Sequence, residues 1–167
     1  MNYLCVSYDS NAGYFAAKNE IVQLLRAMGD QKAEVELLAP GLLLVKTNNV
    51  SRKVTEELHE RYVNDPESIK ATFQWIPADF LCAPSLTDIK STVREELNFL
   101  IIPTDTYRLS VVSVNQNVNE KELRKTVLGI LRGKESETAQ HEVRIEVYNE
   151  NAFVCYLRNK DIFTRGK

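Results

Sequence analysis

The sequence predicts an α+β protein built as two small domains, residues 1–83 and 84–167. Three observations lead there. The first half runs strand, helix, hairpin, helix, strand; the second runs helix, strand, helix, strand, strand; and Pro77 and Pro84 punctuate the join between them.

The first half opens on an apolar strand, Tyr3–Tyr8, followed by a polar, glycine-containing loop, Asp9–Gly13. Ala17, Ile21, Leu24, Leu25 and Met28 then fall on one face of a 3.6-residue repeat, and Gly29 supplies a left-handed stop for that helix. Ala33–Leu38 and Leu42–Thr47 are strand-like, and Pro40-Gly41 between them is a turn dipeptide, so the two pair as a hairpin. Asn49 or Ser51 is placed to cap a second helix, in which Val54, Leu58 and Tyr62 recur every fourth residue until Asp65-Pro66 stops it. Ala71–Ile76 closes the half as a strand, with Phe73 and Trp75 expected to face the core and Trp75 to seal the junction between the halves. This βαββαβ order is that of a ferredoxin-like domain, with an antiparallel sheet covered by both helices on one face. The fold alone assigns no chemistry.

In the second half Ser85 with Asp88 forms a capping pattern that opens a helix, whose stripe Leu86, Ile89, Val93, Leu97 and Leu100 carries it to 97–100. Tyr107–Val114 is a strand. Asn119 with Glu122 repeats the capping pattern, Leu123, Val127, Ile130 and Leu131 form a helical stripe, and Gly133 is expected to end it. Lys134–Gln140 reads as an exposed loop. Val143, Ile145 and Val147, and then Phe153, Cys155 and Leu157, alternate with polar or amphipathic neighbours across an Asn149-Glu150-Asn151 turn, a closing hairpin. The half is thus αβαββ.

Composition restricts the function classes. Apolar residues make up 44% and charged residues 26%, a balance that can bury a core and stay hydrated. No run approaches the ~18 apolar residues of a membrane span, and the N-terminus lacks a basic start and apolar signal core, so a cytoplasmic protein is expected. Cys5, Cys82 and Cys155 are odd in number and form no CxxC, which points to buried apolar thiols rather than disulfides or zinc ligands. His59 and His141 have no second ligand at metal spacing, and no nucleophile elbow, Walker loop, dinucleotide-binding glycine pattern or zincin motif occurs. Neither a metal nor another cofactor is expected, and a small enzyme is the weakest reading. The net charge of −2 hides an asymmetry: eight Lys and Arg against eleven Asp and Glu in 1–83, thirteen against twelve in 84–167.

Three short runs carry a resemblance. Pro40-Gly41-Leu42-Leu43-Leu44-Val45-Lys46-Thr47-Asn48, then Trp75-Ile76-Pro77-Ala78-Asp79, and then Asp105-Thr106-Tyr107-Arg108-Leu109 resemble THUMP-domain proteins of the tRNA-acetylation adaptor family, above all its short archaeal members. The ending Arg158-Asn159-Lys160-Asp161-Ile162-Phe163 is similar to that family's last strand and tail. The resemblance implies a ferredoxin-like domain followed by a THUMP-like domain. It further implies a non-catalytic protein that binds tRNA and presents it to a separate acetyltransferase making N-acetylcytidine. Longer THUMP proteins add a catalytic domain, for which a chain ending at Lys167 is expected to leave no room. Where the family often has further Arg or Lys after its Tyr-Arg strand, this chain has Val111–Asn117, which implies fewer phosphate contacts and dependence on a partner.

On that reading Arg108, Lys121, Arg124, Lys125, Arg132, Arg158, Lys160, Arg165 and Lys167 are the candidate RNA-binding residues, because A-form RNA offers proteins chiefly phosphates and 2′-hydroxyls. Judged by charge pattern alone, the same residues are solvated cations interleaved with Glu120 and Glu122. Arg108 ranks first, standing where the family pattern has its arginine. Tyr148 and Tyr156 have the parity to point out of the last hairpin and stack on an unpaired base, but packing is the role expected first of the aromatic residues. The competing reading is a protein-interaction module, whose acidic first half docks a partner enzyme with little RNA affinity of its own.

Overall fold

The computed structural model describes residues 1–167 as two compact units, Met1–Ala78 together with Lys160–Lys167, and Asp79–Asn159. No helix in it is long and apolar enough to cross a membrane.

The first unit contains β1 (Asn2–Tyr8), α1 (Tyr14–Ala27), β2 (Glu34–Ala39), β3 (Leu42–Thr47), α2 (Ser51–Asn64) and β4 (Thr72–Ala78). β4, β1, β3 and β2 lie side by side in that order, every pair antiparallel, which is the ferredoxin-like sheet. Ile21 and Leu25 of α1, Val54 and Leu58 of α2, and Leu4, Val6, Leu43 and Val45 of the sheet form one buried cluster. Each such side chain contributes ~1.5–3 kcal/mol by leaving water. α1 ends at the glycine that its sequence marks. Gly29 has φ +94, its N–H donates to Arg26 O at 3.0 Å, and the Asp30 N–H reaches back to Leu25 O at 2.9 Å. α2 is capped by neither expected residue. Its N-cap is Val50, Asn49 Nδ2 instead donates to Met28 O (3.3 Å), and Ser51 is buried in the first turn.

β4 departs from simple alternation. Ser7 pairs with Gln74 but Tyr8 with Thr72, so Phe73 occupies a bulge and is 44% exposed while Thr72 and Trp75 are buried. The extra residue resets the parity on which a core-facing Phe73 was expected. Trp75 sits in the first unit's own core, its Nε1 donating to Thr72 Oγ1 at 2.9 Å. Glu20 of α1 holds this end of β4 by accepting from Lys70 N (2.6 Å), Ala71 N (3.0 Å), Thr72 N (2.7 Å) and Thr72 Oγ1 (2.7 Å).

The chain's end returns to this unit, which alters the boundary expected at 84–167. β10 (Phe163–Thr164) pairs antiparallel with β4 and covers what would be its exposed edge. Phe163 is 1% exposed and meets the rings of His59 (5.2 Å) and Tyr62 (5.8 Å) edge-on. His59 Nε2 lies 3.1 Å from Ile162 O, and Arg52 pairs with the buried Asp161 at 3.4 Å. A half-exposed pair such as Arg165–Asp9, at 3.9 Å, is worth at most ~1 kcal/mol. Burial of the Phe163 ring therefore outweighs that exposed pair in holding the tail.

The second unit contains β5 (Phe80–Cys82), α3 (Leu86–Glu95), β6 (Thr106–Ser113), α4 (Glu120–Leu128), β7 (Lys134–Glu135), β8 (His141–Val147) and β9 (Ala152–Arg158). Its sheet order is β5-β9-β8-β6-β7, with β6 parallel to both β8 and β7 and the other pairs antiparallel. Residues 80–82, expected in the first domain, thus form this sheet's edge. Ser85 Oγ accepts from Asp88 N (3.1 Å) and Asn119 Oδ1 from Glu122 N (3.0 Å), so both capping patterns form. The helices themselves are shorter than their apolar stripes. α3 stops at Glu95 and a 3-10 turn, Leu97–Phe99, carries the stripe on. α4 stops at Leu128, because the side-chain amide of Asn98 takes Ile130 O (2.8 Å) and Arg132 N (3.0 Å) out of the helical pattern. Gly133 serves another purpose: at φ +80 it passes so close to Asp105 that a Cβ would lie 2.6 Å from Asp105 O. That approach lets Lys134 N reach Asp105 O (3.0 Å) and turns the start of the expected loop into β7.

Substituting Phe163→Ala is expected to cost about 3–5 kcal/mol of stability. Denaturant unfolding followed through Trp75, the sole tryptophan, reads that core directly. A loss below about 1 kcal/mol would contradict a structural role for the tail.

Candidate nucleic-acid interface

Along β6, Tyr107 turns inward and is 2% exposed, so its neighbour Arg108 emerges on the opposite face. Arg108 Nε donates to Ala139 O at 2.9 Å and Nη2 to Asn159 Oδ1 at 3.4 Å, leaving three of the five guanidinium donors for a ligand. Arg124, on α4, donates Nη1 to Leu109 O at 2.9 Å and pairs through Nη2 with Glu135 of β7. Arg108, Leu109, Arg124, Glu135, Ser136 and Glu137 line a surface hollow of about 440 Å³. Two guanidiniums face two carboxylates there, so the hollow is rich in donors without being strongly positive. It is suited to orienting a phosphate or hydroxyl more than to drawing one in from a distance.

The other candidates are distributed. Lys121 lines a second hollow, of about 480 Å³, with Ser113, Gln116, Val118, Asn119 and Glu120 at the start of α4. Lys125 is exposed on the same helix; Arg132 and Arg158 are exposed beyond α4 and at the end of β9. Lys160, Arg165 and Lys167 belong to the first unit. There Arg165 is committed to its own fold, donating to Lys70 O, lying 3.9 Å from Asp9 and stacking over the Phe73 ring at 5.8 Å. Counting the tail where it folds gives eleven basic against eleven acidic residues in the first unit and ten against twelve in the second. The basic excess expected of the second half was carried by the tail.

Neither tyrosine expected to face outward does so as a free ring. Tyr148 is 3% exposed, edge-on to Phe153 at 6.1 Å, with its hydroxyl donating to Glu146 Oε1 at 3.2 Å. Tyr156 stacks on His141 at 4.7 Å, and burial with the nearby Asp105 pushes its hydroxyl up to about 12. The reason lies in β9, where the four consecutive residues Ala152, Phe153, Val154 and Cys155 are all buried, so burial there does not alternate with parity. Cys5 and Cys155 are buried and Cys82 partly so; burial drives the Cys155 thiol far above its ordinary range. No group of three or more His, Cys, Asp or Glu side chains is gathered for a metal ion. The exposed aromatic of this unit is Phe99, which residue spacing does not single out because it sits off the α3 stripe.

Glu146 makes the surroundings of Tyr148 pH-sensitive. Burial raises its carboxyl above the ordinary range, opposed by the charge of Arg144 and the hydroxyl of Tyr148. A raised carboxyl favours the protonated form in the folded state. Its contribution is full below the unfolded pKa and is lost as pH rises through the folded one. Glu146→Gln, which keeps an acceptor for Tyr148, is therefore expected to gain about 1 kcal/mol near neutrality and little in acid. Denaturation at two pH values checks this. A loss at neutrality that disappears in acid would show that the charge itself is needed.

Neither a family model nor a curated protein matches the sequence. Solved structures do share the fold. PH1313 from Pyrococcus horikoshii OT3 superposes with a TM-score of 0.68 at 15% identity, over 99% of this chain and 56% of its own. TrmN from Thermus thermophilus gives 0.56 at 12% identity, over 93% of this chain and 45% of its own. A 4-thiouridine synthetase solved in complex with RNA and bound ATP gives 0.55 at 13% identity, over 95% and 41%. The chain thus spans about half the length of these proteins or less and shares its whole two-unit architecture with a part of each, in keeping with a ferredoxin-like unit and a THUMP-like one.

Proposed function

We propose that this chain is a non-catalytic tRNA-binding protein that presents tRNA to a separate modification enzyme, the N-acetylcytidine-forming acetyltransferase. The observation that carries the RNA part is the shared architecture, across 95% of the chain, with a 4-thiouridine synthetase whose structure contains RNA. The residues supply a physical basis. Arg108 offers unused planar donors beside a hollow, and Lys121 and Lys125 expose ammonium groups on α4. These are groups that phosphates and 2′-hydroxyls accept from. Local carboxylates and a net charge of −2 keep long-range attraction small, which favours modest affinity and a partner enzyme that completes the grip. Both histidines are engaged in packing, His59 against Phe163 and His141 against Tyr156, which supports a role without acid–base chemistry. The acetyltransferase as partner rests on the sequence resemblance.

The competing docking module drew on an acidic first half. With the tail included, that unit is balanced at eleven charges of each sign, so the electrostatic basis for it is gone.

Mobility shift of tRNA across a salt series tests the proposal. The expected outcome is affinity that falls as salt rises. Lys121→Glu and Lys125→Glu together should weaken binding and reduce the salt slope by about 1 for each phosphate no longer neutralised. Wild-type chain that holds tRNA no better than a random acidic polymer would overturn it. Addition of the chain to the acetyltransferase should raise N-acetylcytidine formation on tRNA. The same yield with and without the chain would remove that partner.

A further inference from the structure

The loop from α3 to β6 exposes apolar residues that its own rigidity does not require. Leu97 and Ile101 point inward, at 0% and 1% exposure, while Phe99 is 78%, Leu100 49% and Ile102 58% exposed. The loop is firmly held. Asn98, itself 8% exposed, engages both ends of its amide with Ile130 O and Arg132 N, and Ile102 N donates to Asp105 Oδ2 at 3.0 Å while Asp105 N returns to Ile102 O at 3.0 Å. A fixed loop that keeps a phenyl ring in water is an interaction feature, because three large apolar side chains so close together are costly to leave exposed.

Its surroundings indicate the occupant. The Asn98 amide ties the Phe99 loop to the segment carrying Arg132 and Lys134, both exposed, and Lys134 opens β7, whose Glu135 and following Ser136 line the Arg108 hollow. Within residues 94–102 and 125–134, the two stretches joined by the clamp, Arg94, Lys125, Arg132 and Lys134 are exposed against only Glu95 and Glu96. An exposed aromatic ring on a loop clamped to a segment with exposed cations is suited to single-stranded nucleic acid: the ring stacks on a base and the cations take the backbone. We propose that Phe99 is a stacking platform for an unpaired nucleotide of the bound RNA, with Arg132 on its phosphate and Leu100 and Ile102 shielding the stacked base from water. This rests on the RNA-binding function proposed above and adds to it the structural state of the nucleotide recognised.

The test uses the full chain with a mixed-sequence single-stranded oligoribonucleotide and with the same strand annealed to its complement. Phe99→Ala and Phe99→Leu are both expected to weaken single-strand binding roughly tenfold to a hundredfold, and to leave duplex binding and its salt slope unchanged. Phe99→Trp should retain affinity, and its indole emission should be quenched by the single strand and not by the duplex, against a constant background from the buried Trp75. Because Phe99 is exposed, these variants should fold as wild type does. If Phe99→Leu binds as tightly as wild type, or the indole does not respond, stacking is wrong while RNA binding stands. If the Phe99 variants keep all RNA affinity but lose association with the acetyltransferase, the loop is a protein contact and the inference falls. If wild-type chain binds neither RNA, the proposed function fails first and this inference with it.

Discussion

Burial of the Phe163 ring is the interaction on which the arrangement of this chain depends. The chain leaves the first unit at Ala78, builds all of the second, and returns so that Phe163 enters the first core and β10 covers the edge of β4. The second unit is therefore an insertion between two strands of the first. A buried hydrophobic side chain worth ~1.5–3 kcal/mol or more outweighs the exposed Arg165–Asp9 pair of the same tail. That single placement decides where the last three cations lie, and with them the charge of each unit.

The candidate interface follows from a second constraint, the close approach of residues 130–134 to the loop before β6. The Asn98 amide and the bare backbone of Gly133 bring the two segments together, end α4 early and lay β7 beside β6. As a result Glu135 meets Arg124, and Arg108 is left with donors to offer in the same hollow. Short-range, oriented hydrogen bonding is what such a site does well.

Much of the fold was legible because it depends on local rules. The α1 stripe ending at Gly29, the Pro40-Gly41 hairpin, and the caps at Ser85 and Asn119 all appear where residue spacing puts them. What escaped depends on partners distant in sequence. A bulge opposite Ser7 and Tyr8 turned Phe73 outward, Asn98 cut α4 short of Gly133, and Tyr148, past the end of β8, packs on Phe153 of β9 where parity had it facing out. For the site, Arg108 and Arg124 are brought to one hollow, whereas the tail cations that looked contiguous with them in sequence fold into the other unit. Charge pattern identifies cations; only tertiary structure shows which carboxylate already pairs with them, as Glu135 pairs with Arg124.

The most direct measurement is ultraviolet crosslinking of the intact chain to tRNA, with the crosslinked peptides located by mass spectrometry. An interface at the start of β6 predicts crosslinks within 99–108 and 121–137, suppressed by rising salt. Crosslinks that avoid both stretches, or a pattern no different from that with an unrelated acidic polymer, would contradict it.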